Sequence, residues 1–160
     1  MTTTIASTSA SATESTTAST VDFRLRRFFI GLSAVICAVT IVELLLLEHT
    51  GDIVQFIPFM LSGLGIVGAV MVLAHPARQM ILAFRGLMTL IILGSLFGVY
   101  EHLEGNLAFA QELHPNSSIG NLWLEILGGA NPLLAPGTLA IASIIAIAAT
   151  YYHPALEKGS

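Results

Sequence analysis

Charge is scarce in this sequence. Only 10% of its 160 residues are charged, against 54% hydrophobic, where a soluble domain carries about 25% charged residues. Mean hydropathy is +0.82, the value of a membrane chain. Cations are rarest: Lys158 is the single lysine, and the total of 6 Lys and Arg excludes the broad basic face that nucleic-acid binding requires. Cysteine occurs once, at Cys37, so no intramolecular disulfide can form. Set in an apolar run, its thiol is expected to stay neutral and pack as a small hydrophobe. No Ser, Cys or Thr stands beside an identifiable base, and no glycine-rich phosphate loop precedes a helix, so covalent catalysis and phosphate cradling have no support. The first 20 residues lack a charged start and an apolar core, and do not read as a secretory signal.

What is present is apolar length. Four runs, residues 28–47, 53–74, 80–100 and 133–152, each hold about twenty mostly apolar residues. At about 1.5 Å per residue each matches a hydrocarbon core of about 30 Å. A spanning segment must satisfy its own backbone groups, so helices are expected. The fold class is therefore all-α integral membrane, with four transmembrane helices and a short helical insert on the outer face between the third and fourth. Residues 1–22, almost entirely Ser, Thr and Ala, read as a disordered cytoplasmic tail, because they cannot bury enough apolar surface to offset the entropy of ordering.

The chain repeats itself. Leu47-Glu48-His49 follows the first run and Tyr100-Glu101-His102 the third. Each is followed by a Pro-led apolar run ending in His-Pro-Ala: Pro58 to His75-Pro76-Ala77, and Pro136 to His153-Pro154-Ala155. Landmarks recurring in a fixed order mark a duplication. It divides the chain into a first hairpin, 23–78, and a second, 79–160, which carries an extra outer segment at 106–131. Within that segment Leu107 to Leu113 extends the third helix, His114-Pro115-Asn116 turns the chain, and 119–127 has the spacing of a short amphipathic helix with Trp123 at headgroup depth. Small residues such as Gly65, Gly68, Gly98 and Ala146 are expected to seat one helix on another.

All six cations, Arg24, Arg26, Arg27, Arg78, Arg85 and Lys158, fall on one side of four spans. By the positive-inside rule that side is cytoplasmic, which places both termini inside a bacterial-type inner membrane. The outer side holds Glu48, His49, Asp52, Glu101, His102, Glu104, Glu112, His114 and Glu125, and no Lys or Arg.

Candidate chemistry lies on that outer rim. Imidazole nitrogen and carboxylate oxygen suit a divalent metal, with Glu48, His49, Glu101, His102, Glu104, Glu112 and His114 as its candidate ligands. Against this, neighbouring residues on a helix do not share a face, and no H-E-x-x-H is present. Two ionisable groups lie inside spans: Glu43, near the outer end of the first, and Arg85, near the inner end of the third. Their opposite depths exclude a direct ion pair. Glu43 is expected to reach the interface or bond Thr40, and Arg85 to snorkel to water. His75 and His153 read as helix stops. The expected function is that of a non-enzymatic accessory or scaffold protein whose acidic outer cap docks a partner, another membrane protein or a second copy of itself. The alternative is a metal-binding or redox membrane protein using the outer Glu and His residues.

Overall fold

A computed structural model describes residues 3–157, with side chains from Thr20 to Leu156. Among the described residues every regular element is a helix: α1 (Thr3–Leu46), α2 (Phe56–Ala74), α3 (Arg78–Leu113), α4 (Ile119–Leu127), α5 (Leu134–Ala149) and α6 (Pro154–Glu157), with a 3₁₀ turn at Ile53–Gln55 leading into α2. Three helices are long and apolar enough to cross a membrane: Thr20–Leu46, Ile53–Ala74 and Arg78–Leu113. The fourth apolar helix, α5, has 16 residues.

The long helices form a ring. α1 packs on α2 and α5, and α3 packs on the same two, so that α1 and α3 face each other across the bundle. Small residues make the contacts close, as lipid-embedded helices require. A Cβ at Gly65 would lie 3.0 Å from Cys37 Sγ, and one at Gly68 would lie 2.8 Å from Leu87 Cδ2. The interior is partly polar: Ser33, Cys37 and Thr40 follow one face of α1, and Ser62, Ser95 and Ser143 are buried on α2, α3 and α5. The outside is apolar, with Val35, Val39, Leu90, Leu93, Ile141 and Ile144 all more than half exposed. In water that arrangement would be inverted; against hydrocarbon it costs nothing.

Two expectations are corrected. The Ser/Thr/Ala-rich segment read as disordered is helical from Thr3, while Met1 and Thr2 lie outside the described residues. No Gly or Pro precedes Gly31, so nothing breaks the helix, and the first span supplies the nucleus that an isolated Ser/Thr peptide lacks. The third helix continues past its Glu-His pair, as the reading of Leu107 to Leu113 as its extension requires. It runs 36 residues to Leu113, since no proline intervenes before Pro115. The fourth apolar run stops at Ala149, short of His153. There the helix tightens, Thr150 N–H donating to Ile147 O and Tyr151 N–H to Ala148 O, and Tyr152 turns the chain with a φ of 50°.

Two arginines occupy that end. Arg85 donates from Nε to Thr150 Oγ1 at 2.8 Å and from a terminal nitrogen to Thr150 O at 2.6 Å, and lies 5.0 Å from the centre of the Tyr151 ring. Arg26 donates to the carbonyls of Ala149 and Tyr151, and Arg27 to Leu73 O at the end of α2. Guanidinium groups satisfy the orphan carbonyls of a helix C-terminus and complement its dipole. Arg85 therefore binds the neighbouring helix instead of snorkelling. The insert matches its expected outline: α4 buries Leu122 and exposes Trp123 and Leu124, and His114 Nε2 lies 3.4 Å from a Glu125 carboxylate oxygen.

Candidate functional site

The histidines of the two Glu-His copies reach one place by different routes. In the first, α1 ends in a Schellman turn: His49 N–H donates to Leu44 O at 3.0 Å and Glu48 N–H to Leu45 O at 3.2 Å. Glu48 occupies the left-handed position with a φ of 51°, where glycine is the usual residue. The turn breaks the helical register, so His49 faces inward while Glu48 is exposed. The expected difficulty, that helical neighbours cannot share a face, does not arise because His49 is outside the helix. In the second copy α3 continues, and Glu101 and His102 are both half-buried on it. The rings of His49 and His102 lie 6.5 Å apart, tilted by 56°.

Both imidazoles line a cavity of about 670 Å³ at this end of the bundle. Glu43, Asp52 and Glu101 line it too, with Ser95, Asn131 and an apolar wall that includes Leu44, Ile57, Leu61, Phe97 and Leu139. Among the described residues no Lys or Arg does. Thr40 Oγ1 donates to Ile36 O and not to Glu43, which is exposed; of the two expectations for Glu43, the bond to Thr40 is not the one realised. His102 Nδ1 is 2.9 Å from Pro132 O. A carbonyl only accepts, so Nδ1 is the donor in this contact.

The wall nearest α5 is fixed by two side chains whose roles were not read from the sequence. Ser95 Oγ donates to Pro136 O and accepts from Ala140 N–H at 3.1 Å, bridging two backbone groups one helical turn apart on α5. Asn106, 2% exposed, donates to Ile126 O and Asn131 O at 3.0 Å each and accepts from Asn131 N–H at 2.9 Å. It thereby ties the connector between α4 and α5 to α3. A buried amide satisfied on both its nitrogen and its oxygen specifies one loop conformation. The only signal in sequence was an Asn one turn beyond a duplicated motif.

Of the seven candidate metal ligands, three line the cavity: His49, Glu101 and His102. Glu48, Glu104, Glu112 and His114 are exposed and do not line it, His114 being turned toward Glu125. Among the described residues no group of three or more His, Cys, Asp or Glu is arranged to hold a metal ion. No protein-family model matches the chain, and no curated protein or solved structure matches it.

Proposed function

We propose that this chain is a four-span inner-membrane protein, made of two tandem hairpins with both termini cytoplasmic, which catalyses no reaction of its own and binds a ligand through its acidic outer face. One observation carries the reading. Two histidines 53 positions apart, each at the same place in the duplicated sequence, come to 6.5 Å on the wall of one cavity. A cavity between helices, largely apolar with a few convergent polar groups, is the usual form of a small-molecule site.

The ring of contacts supports the duplication: α1 on α2 matches α3 on α5, and α2 on α3 matches α5 on α1, as a two-fold axis along the bundle requires. The charge distribution supports the orientation, since Arg26, Arg27 and Arg85 gather at the end opposite His49 and His102. α5, at about 24 Å, becomes the fourth span when Leu133 and the Tyr151–Tyr152 pair extend it to the interfaces. The exposed side of α4, with Trp123 and Leu124, supplies the partner-facing or lipid-facing part of the outer cap.

The test is a cysteine pair. With Cys37→Ser as background, His49→Cys and His102→Cys should be bridged by a short bifunctional thiol reagent that cannot cross membranes, added to intact cells. Failure to label either position from outside would refute the orientation. Labelling of both singly, without bridging, would refute the shared cavity. Elemental analysis of the purified protein separates this reading from the metal reading, which requires zinc, iron or manganese near one per chain, lost with His49→Ala.

A further inference from the structure

We infer that the cavity takes a hydrophobic organic cation, its charged group held between the Glu43 and Glu101 carboxylates and its apolar body against the helix wall. The inference rests on the binding reading above and names the class of ligand.

Size comes first. A volume of about 670 Å³ falls within the roughly 300–1,000 Å³ of sites for drug-sized molecules. It is far more than a dehydrated metal ion fills, and the donors do not gather into a three-ligand group among the described residues. Charge comes second. Glu43, Asp52 and Glu101 line the space, and among the described residues no Lys or Arg does. The N-termini of α2 and α5 lie at the same end and favour an anion, but each carries only about half a positive charge. The C-terminus of α1 offsets one of them. Three acidic side chains, against no Lys or Arg among the described residues, therefore decide the sign. Asp52 is partly committed, its Oδ1 accepting from Ile53 N–H at 2.9 Å, which leaves Glu43 and Glu101 as the principal anions.

The surroundings fit the rest of such a molecule. Leu44, Ile57, Leu61 and Leu139 offer apolar contact, and the Phe97 ring a face for a cation. His102, anchored through Nδ1 to Pro132 O at 2.9 Å, presents its ring to the same space. A hydrophilic cation would leave that apolar wall unused, and a neutral hydrophobe would leave the carboxylates unpaired.

Tetraphenylphosphonium and tetraphenylborate test this directly, being alike in shape and opposite in charge. The full chain is purified in a neutral detergent, and binding is read by calorimetry and by the shift of thermal unfolding. The cation should bind at least tenfold more tightly than the anion. Glu43→Gln and Glu101→Gln should each weaken it about fivefold, the size expected of one partly screened charge. Glu112→Gln, away from the cavity, should leave it unchanged. If one of the two cavity variants does not fold, the other suffices.

Equal binding of both probes, both weakened by filling the space with Ala135→Trp, would overturn the charge argument and leave the cavity reading intact. Binding of neither, with labelled cysteines still bridged across the cavity, would overturn the ligand class alone. Binding of zinc alone, abolished by His49→Ala, would overturn it in favour of a metal.

Discussion

At the scale of single residues, Glu48 is the clearest departure from local preference. It has a left-handed backbone and a carboxylate at the negative end of a helix, each unfavourable. Strain of that kind collects where a chain must be aimed, and here it aims His49. Glu48→Gly should raise stability by about 1 kcal/mol, seen as a higher unfolding temperature in detergent. Glu48→Ala removes the charge and keeps the strain, so equal gains from both would show that charge and not backbone is responsible. His153 offers a second test. Burial first, and then the nearby Arg26 and Arg85, hold its pKa below the ordinary 6.5. A group that binds its proton less readily when folded favours unfolding once protonated. Its stabilisation is therefore complete above pH 6.5 and is lost as the pH falls toward the depressed folded value. Unfolding temperatures at pH 7.5 and pH 5 should differ less in His153→Gln than in the parent; an unchanged difference would remove His153 from the account.

At the scale of elements, the connector from α4 to α5 hangs on Asn106. Asn106→Ala strands the carbonyls of Ile126 and Asn131 and the Asn131 amide, at about 2–3 kcal/mol, and should expose residues 128–131 to protease. Gly129→Ala should do the same with Asn106 intact, because its Cβ would overlap the Asn106 amide group. Cleavage unaltered in both variants would show that the connector is held by something else. This is also the scale at which the sequence was most legible. Length and hydropathy located α1, α2 and α3, and turn residues located the boundaries of α4, since Pro115 and the Asn-Ser-Ser run leave little choice. The end of α5 was not legible: Thr150, Tyr151 and Tyr152 continue the run with hydroxyls as their only polar groups, and the helix ends where arginines from α1 and α3 take its carbonyls. Nor was the inward aim of His49, which depends on a glutamate adopting a conformation that sequence rules assign to glycine.

At the scale of the whole molecule, the two ends of the bundle differ in chemistry. One holds arginines on helix C-termini, the other carboxylates and imidazoles around a cavity. A periplasm-active reporter fused after Ser160 should be silent, and the same reporter inserted at Asn116 should be active, as the positive-inside rule requires for this distribution. The reverse pattern would invert the orientation, and activity at both positions would mean that α5 does not cross. The repeated Glu-His motif pointed to His49 and His102, whose rings lie 6.5 Å apart, but not to Glu48, which stays exposed. The cavity beside them was not legible, because it depends on the opening between the helices and on Ser95 and Asn106 fixing its far wall.

The arginines on α5 have a consequence in time. Synthesis runs from the N-terminus, so α5 emerges after α1, α2 and α3, and it is the shortest of the four. Its terminal carbonyls are satisfied by Arg85, 65 positions earlier, and by Arg26, 123 and 125 positions earlier. Until α5 docks, those guanidinium groups have no helix end to bind, and α1 and α3 have no common neighbour on that side. A bundle of α1, α2 and α3 alone is open along the seam between α1 and α3, which α5 closes by packing on both. Ala135, Pro136 and Leu139 of α5 supply the cavity's fourth wall, so the cavity is complete only once α5 is in place.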